Sequence, residues 1–215
     1  MKNRSARGIV AALYQELGHR GLIRGSSGNV SLRTRDGMVI TPSGGSPEGV
    51  RPRDMAMATL DGDAWGEATP SSEWPMHAAI YQTAPEAGCI IHTHADACTA
   101  LASLAEPLPA FHYMVVQFGG TTVPCAPYVT FGTPDLAVHA AETIRGHSAC
   151  LLANHGMIVH GRDAEQALDR AELLESLCRQ YLMARAAGAP RLLTEEEMLA
   201  ARERFRTYGP RPIVV

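Results

Sequence analysis

Two histidines at the end of an apolar run are the residues best suited to chemistry. His92 and His94 are separated by one residue and follow Ile90 and Ile91. In a β-strand, residues i and i+2 point to the same face, so both imidazoles can reach one metal ion. A pair of this kind also occurs where half-buried histidines only complete hydrogen bonds. We therefore test the metal-site hypothesis against further residues.

A second apolar run, residues 149–153, leads to His155 and Gly156. Spacing alone does not show that His155 converges with the first pair. If it does, three neutral nitrogen ligands leave a coordination position open for substrate, as in catalytic rather than structural metal sites. We predict a metal site of His92, His94 and His155. We expect surface or packing roles for the other six histidines: His19, His77, His112, His139, His147 and His160.

One acidic residue has a position that suits proton transfer. Glu73 lies within residues 70–74, where we predict the first turn of a helix. A carboxylate there is favoured by the positive end of the helix dipole, which is a sufficient reason for its presence. Close to a metal and partly desolvated, the same carboxylate can act as a base. Glu73 therefore has two candidate roles, as a residue that stabilises the helix end and as a base that transfers a proton.

Three short polar loops offer hydroxyl groups and backbone amides: residues 25–29, residues 41–45 and the pair Ser71-Ser72. None of them matches a Walker loop or a dinucleotide fingerprint. Each alone is explained as a turn, but together they can surround a phosphate without lysine or arginine. The aromatic run 111–114 by itself indicates core or loop packing.

Hydrophobic periodicity and turn residues predict alternating helices and strands. The predicted helices cover residues 5–18, 70–81, 96–104, 134–144 and 164–187, and one more begins at 194–197. The predicted strands cover residues 29–33, 38–41, 55–60, 89–93, 121–124, 150–153 and 157–160. No repeat or linker divides them, so we predict one domain over residues 1–215 with a layered α/β architecture.

Composition and charge limit the binding partners and the cellular compartment that we expect. The formal net charge is -3, with 46% hydrophobic and 19% charged residues, which argues against a nucleic-acid-binding surface. The five cysteines are odd in number and form no Cys-x-x-Cys pair, as expected of a reducing compartment. No signal peptide is expected, and no segment approaches the roughly 18 apolar residues of a membrane span. We expect a cytoplasmic protein with no membrane partner.

Taken in order, the motifs resemble those of the class II aldolase/adducin family, closest to its members that cleave L-fuculose 1-phosphate. The resemblance covers nearly the whole chain. Its matching segments are 28–31 (GNVS), 41–44 (TPSG), 70–74 (PSSEW), His92-x-His94, 109–114 (PAFHYM), 124–128 (PCAPY), 130–133 (TFGT), 155–156 (HG) and 205–209 (FRTYG).

The resemblance implies a fold and a set of roles. The fold is three-layer α/β/α with a central, largely antiparallel sheet. His92, His94 and His155 would bind one Zn²⁺ per subunit, with another divalent metal as an alternative, and Glu73 would be the catalytic acid/base. Tyr113 would donate a proton across a subunit interface, with Phe131 and Tyr208 as walls of an aldehyde pocket. The substrate phosphate would be held by Gly28, Asn29, Ser43, Gly44, Ser71 and Ser72.

The implied function is reversible cleavage of a ketose 1-phosphate to dihydroxyacetone phosphate and a short aldehyde such as L-lactaldehyde, in a homotetramer with its sites at subunit interfaces. The only lysine, Lys2, lies at the extreme N-terminus, which argues against a Schiff-base mechanism. The family also contains sugar-phosphate 4-epimerases and decarboxylases, and non-enzymatic scaffolds like the adducin head. These remain alternatives at this point.

Overall fold

The structure, a computed structural model, describes residues 5–208. Lys2, on which the argument against a Schiff base depends, lies outside the described residues, as does Gly209 of the segment 205–209. In the described part of the chain, no helix has the length and apolar character needed to span a membrane.

One sheet forms the centre of the fold. Within residues 5–208 it has eight strands: β1 (Asn29–Thr34), β2 (Gly37–Ile40), β3 (Ala56–Ala58), β4 (Ala64–Trp65), β5 (Cys89–Thr93), β6 (Cys125–Ala126), β7 (Ala149–Leu152) and β8 (Gly156–Gly161). The strand order is β4-β3-β2-β1-β5-β8-β7-β6. Only the β6–β7 pair is parallel. The predicted largely antiparallel sheet is therefore confirmed.

Helices cover both faces of this sheet. They are α1 (Ala6–His19), α2 (Trp74–Thr83), α3 (Asp96–Ala102), α4 (Pro134–Thr143), α5 (Ala164–Ala187) and α6 (Glu195–Arg206), with 3₁₀ helices at Pro52–Asp54 and Tyr113–Phe118. One apolar core joins the sheet to α1, α3 and α5 and includes Met198 of α6. A second core joins the opposite face to α2 and α4. This is the three-layer arrangement that was predicted.

Alternation along the strands explains why both faces are covered. In β5, Ile91 belongs to the first core and Ile90 to the second. Every residue of β5 is buried, because side chains alternate between two apolar layers rather than between core and water. Such strands read as continuous apolar runs, which is how the sequence revealed them.

The predicted helix 70–81 and the predicted strand 121–124 differ most from the observed elements. Residues 70–73 are not helical: the Ser71 amide donates to the Thr41 carbonyl at 3.1 Å, and Ser72 and Glu73 form a turn that the Trp74 amide closes on the Ser71 carbonyl at 3.0 Å. The helix begins at Trp74, with Pro75 in its first turn, so Glu73 immediately precedes α2 instead of lying inside it.

The strand predicted at 121–124 was also misplaced. Val123 exchanges both backbone hydrogen bonds with Leu108 in an isolated bridge. Because proline has no amide hydrogen, Pro124 contributes only its carbonyl, which accepts from the Leu151 amide at 2.8 Å. The ladder with β7 therefore starts at Cys125.

Strand register gathers the polar loops at one end of the sheet. Asn29, the first residue of β1, pairs with His92 near the end of β5. Ile40, the last residue of β2, pairs with Ser31 of β1. The loops before β1, after β2, after β5 and before β8 therefore share this edge, and the segment before α2 reaches it through Ser71.

Candidate active site

Three imidazoles converge at this edge of the sheet. His92 lies in β5, His94 lies just beyond it, and His155 lies in the turn between β7 and β8. Their ring centroids are 4.7–5.0 Å apart. One ligand atom from each lies within 4.8 Å of the other two. The predicted convergence of residues far apart in sequence is therefore present.

The spacing of the nitrogens fits a metal ion. His92 Nε2 and His94 Nε2 are 3.1 Å apart. Two nitrogens bound tetrahedrally to one zinc ion at about 2.0–2.1 Å lie roughly 3.3 Å from each other. His92 Nδ1 lies 2.9 Å from the Met157 carbonyl, to which it donates, so the Nε2 lone pair faces the other two rings.

The protonation of His94 also suits a ligand. Burial, and then repulsion from His92 and His155, lower the pKa of His94 to about 4. The His94 imidazole is consequently neutral near pH 7, the form that binds a metal.

The turn that carries His155 depends on two neighbouring residues. Asn154 has a φ of 54°, in the left-handed region that asparagine tolerates better than most residues. Gly156 packs directly on the backbone of Thr93. An added Cβ would overlap the Thr93 carbonyl oxygen and would lie 3.1 Å from His94 Cδ2. A glycine at 156 is therefore required for His155 to reach His94.

Substituting Gly156 by alanine should loosen the metal site and the fold together. We expect the free energy of unfolding to fall by about 1–3 kcal/mol, the usual cost of overpacking, and metal affinity to fall with it. The matched control is Gly49→Ala, where a Cβ meets only the Ser46 hydroxyl at 3.7 Å. Denaturant titration and metal titration measure both effects. Equal values for the two variants would contradict this role of Gly156.

Glu73 faces the same nitrogens from the start of α2. Its Oε2 lies 3.3 Å from His92 Nε2, and its Oε1 lies 3.2 Å from His155 Nε2. Oε2 also accepts a hydrogen bond from Asn29 Nδ2 at 2.9 Å. Burial alone would raise the pKa of the Glu73 carboxyl, but His92 and His155 outweigh burial and hold the pKa well below its ordinary value.

A polar cavity of about 410 Å³ opens beside these groups. Glu73, His94 and His155 line it together with all six residues predicted to hold phosphate: Gly28, Asn29, Ser43, Gly44, Ser71 and Ser72. Phe131, predicted as an aldehyde-pocket wall, also lines it. Six further residues line it: Ser26, Ser27, Pro42, Tyr128, Val129 and Asn154. The first three belong to the polar loops 25–29 and 41–45, whereas Tyr128, Val129 and Asn154 had no predicted role. Asn154 could have been found from its place beside His155, since asparagine before His-Gly is a turn signal.

Gly28 shows why the first loop needs glycine. Its φ is 92°, and an added Cβ would lie 2.6 Å from the His92 carbonyl oxygen. The loop therefore packs closely on β5, next to a predicted metal ligand.

Tyr113 and Tyr208 lie elsewhere. Tyr113 begins the 3₁₀ helix Tyr113–Phe118 and is about half exposed, stacked on His112 and Phe205. With Tyr208 it lines a second cavity, between this helix and α6. Among residues 5–208, the two cavities share no lining residue. Within one chain, Tyr113 is thus not brought to Glu73.

Comparison with known proteins gives consistent matches. The family model described as Class II Aldolase and Adducin N-terminal domain matches residues 9–182. A 5-methylthioribulose-1-phosphate/5-deoxyribulose-1-phosphate aldolase from Rhodospirillum rubrum is 43% identical over 88% of this chain and 86% of its own length. An L-fuculose phosphate aldolase from Escherichia coli K12 is 40% identical over 98% of both chains. A solved structure named L-fuculose 1-phosphate aldolase has a TM-score of 0.90 at 37% identity, covering 95% of this chain and 97% of that one.

Proposed function

Because the chain belongs to the class II aldolase and adducin family, we propose that it reversibly cleaves a ketose 1-phosphate to dihydroxyacetone phosphate and a short aldehyde. The chain is an enzyme, a metal-dependent aldehyde-lyase, as the sequence predicted. The observation that carries the specific proposal is that Glu73, His94 and His155 line one polar cavity, with His92 clustered against them.

We assign the metal to His92, His94 and His155, and propose zinc. Three imidazole nitrogens without a thiolate, one of them fixed by the Met157 carbonyl, are a donor set that zinc accepts. A divalent metal bound there supplies positive charge that offsets the negative charge developing on the substrate oxygens.

Glu73 is the proposed acid/base. In the synthetic direction it removes a proton from the carbon beside the carbonyl of dihydroxyacetone phosphate, and in cleavage it returns that proton. Oε2 is held by Asn29, whereas Oε1 is buried and accepts no hydrogen bond from the described residues. Oε1 lies 3.2 Å from His155 Nε2, but this nitrogen has no hydrogen to donate when it is a metal ligand, so Oε1 is the oxygen left to carry the proton.

The three polar loops are the proposed phosphate site. They present the hydroxyls of Ser43, Ser71 and Ser72 and the backbone of Gly28 and Gly44 around one cavity. Both glycines have positive φ, 92° and 68°, a conformation found in loops whose amides point at an anion. Holding the phosphate fixes the reacting carbons relative to Glu73.

Part of the cavity lining is apolar. Tyr128 and Phe131 line it and are 61% and 68% exposed, with Val129 between them. These side chains suit an aldehyde with an apolar end, such as the methyl group of L-lactaldehyde. We therefore propose a substrate like L-fuculose 1-phosphate. The relative from Rhodospirillum rubrum is named for 5-methylthioribulose 1-phosphate and 5-deoxyribulose 1-phosphate, so these two ketose 1-phosphates belong in the same assay.

We further propose that Tyr113 reaches the cavity from a neighbouring subunit of a homotetramer. The exposed aromatic side chains of Tyr113 and Tyr208, with Phe205 between them, provide an apolar surface for such a contact. Across the interface, the Tyr113 hydroxyl would donate a proton to the aldehyde oxygen.

Replacing Tyr113 by phenylalanine tests that role. We expect the cleavage rate to fall by roughly 10²-fold or more, as for loss of a general acid, while exchange of the dihydroxyacetone phosphate proton changes much less. Tyr181→Phe serves as the matched control, because Tyr181 lies in α5 and lines neither of the two cavities; we expect it to leave both rates unchanged. Equal losses of cleavage and exchange in Tyr113→Phe would contradict the donor assignment.

The proposed function is tested by a panel of ketose 1-phosphates and ketose 5-phosphates, assayed with and without chelator. We expect release of dihydroxyacetone phosphate from one or more ketose 1-phosphates, lost with chelator and restored by zinc. Epimerised or decarboxylated products in place of dihydroxyacetone phosphate would instead assign the chain to those related activities.

A further inference from the structure

A chain of buried hydrogen bonds begins at the Glu73 carboxylate. Asn29 Nδ2 donates to Glu73 Oε2 at 2.9 Å and to Ser71 Oγ at 3.0 Å. Asn29 Oδ1 lies 2.6 Å from His77 Nε2. Asn29 is 3% exposed, and both hydrogens of its amide are already engaged. Its side chain is therefore committed to Glu73 and Ser71.

The chain continues behind His77, which lies in α2 one helical turn after Glu73. His77 Nδ1 lies 2.7 Å from Ser31 Oγ. Ser31 Oγ lies 2.9 Å from the Tyr81 hydroxyl. His77 and Ser31 are 0% exposed and Tyr81 is 1% exposed. Water therefore has no access to the hydrogen bonds among these three side chains.

The Glu73 carboxylate determines which group donates and which accepts in each of these hydrogen bonds. An ionised Glu73 only accepts, so Asn29 must turn its NH₂ group towards it and its oxygen towards His77. His77 Nε2 must then carry a hydrogen. Burial lowers the pKa of His77 to about 3, so the ring is neutral and Nδ1 accepts from Ser31. Ser31 in turn accepts from Tyr81.

We propose that His77 is a positioning residue for Glu73: by donating from Nε2, it holds the Asn29 amide in the orientation that presents N–H to the carboxylate. Rotating this amide by half a turn would place Oδ1 against Glu73, where two acceptors repel. The inference rests on the proposed acid/base role of Glu73. It also gives Asn29 a function besides the predicted phosphate contact.

Two substitutions of His77 separate this role from packing. Glutamine places an amide N–H near the position of Nε2, whereas asparagine is too short to reach Asn29 but still offers a polar partner to Ser31. For His77→Asn we expect kcat of proton exchange on dihydroxyacetone phosphate to fall roughly 10- to 100-fold, as for a misplaced catalytic group. We expect KM to stay within about twofold, and His77→Gln to recover most of the loss.

The matched control is His160→Asn. His160 is 3% exposed and donates from Nε2 to the His147 carbonyl at 3.1 Å. Among residues 5–208, it forms no hydrogen bond to any of the groups that link Glu73 to Tyr81. We expect His160→Asn to lower the melting temperature without lowering kcat. If both asparagine variants lose kcat and stability alike, with no recovery in His77→Gln, the effect is structural and the inference is wrong.

Nitrogen-15 NMR of the metal-loaded protein tests the inference without any substitution. We expect His77 to be protonated at Nε2 and unprotonated at Nδ1. The opposite tautomer would overturn the inference, because Asn29 would then have to turn its oxygen towards Glu73. A Glu73→Gln variant with unchanged exchange would instead overturn the proposed function. Loss of exchange in Glu73→Gln together with unchanged kcat in His77→Asn would overturn only the role of His77.

Discussion

Replacing Glu73 by glutamine is expected to abolish proton exchange on dihydroxyacetone phosphate while leaving the metal in place. The amide has the shape of the carboxyl group but cannot take up the proton, and loss of a general base typically costs about 10²- to 10⁴-fold in rate. Metal binding should persist because His92, His94 and His155 remain. Solvent isotope exchange measures the rate, and elemental analysis measures the metal.

Glu175→Gln is the control for this experiment. Glu175 is 6% exposed, close to the 7% of Glu73, but it accepts hydrogen bonds from the backbone amides of Ala97 and Cys98 at the start of α3. We expect its substitution to lower stability and to leave exchange intact. Undiminished exchange in Glu73→Gln would remove Glu73 from the mechanism.

Replacing His94 by alanine is expected to empty the metal site and abolish turnover. Two imidazoles would remain, in a pocket spaced for three. Replacing a residue that only hydrogen-bonds to a metal ligand lowers metal affinity about 10–100-fold. Removing a ligand itself should therefore lower the affinity further. Competition with a chromogenic chelator measures the affinity, and release of dihydroxyacetone phosphate measures turnover.

His19→Ala is the matched control, since His19 is exposed at the end of α1. It should bind metal and turn over like the parent protein. Added zinc should restore little activity to His94→Ala at concentrations that saturate the control. Full activity and unchanged metal content in His94→Ala would refute the ligand assignment.

The elements that the sequence predicted best have strong local signals. Helix α5 was predicted at its observed bounds, and Asp163 caps it by accepting from the Gln166 amide at 2.8 Å. Thr194 and Glu197 form the capping box expected at the start of α6. Strand β5 was also predicted at its observed bounds, because an apolar run between turns is typical of a fully buried strand.

The boundaries that failed depend on contacts between distant segments. Residues 70–73 contain proline and serines that favour a helix start, but Pro70 and Ser71 pair with the segment after β2, and a turn at residues 72–73 delays the helix to Trp74. No local pattern reveals such a pairing. The 3₁₀ helix at Tyr113–Phe118 was not predicted either, because its aromatic run indicated only packing.

In the candidate site too, local patterns were predictable and contacts between distant segments were not predictable from spacing alone. The His92-x-His94 pair was predictable from strand geometry, since both residues lie on one short segment. Its meeting with His155 was predicted from a second apolar run that ends in a histidine and from the resemblance to a family. Spacing alone could not show it, because it depends on the pairing of β5 with β8. His77 was assigned a packing role, because no sequence pattern shows that its ring faces Asn29.

The most direct test of a metal-dependent cleavage at these residues is a zinc titration of metal-free protein, with release of dihydroxyacetone phosphate as the signal. We expect no activity at the start, a linear rise up to about one zinc ion per chain, and a plateau beyond it. Full activity in the metal-free protein would contradict the account.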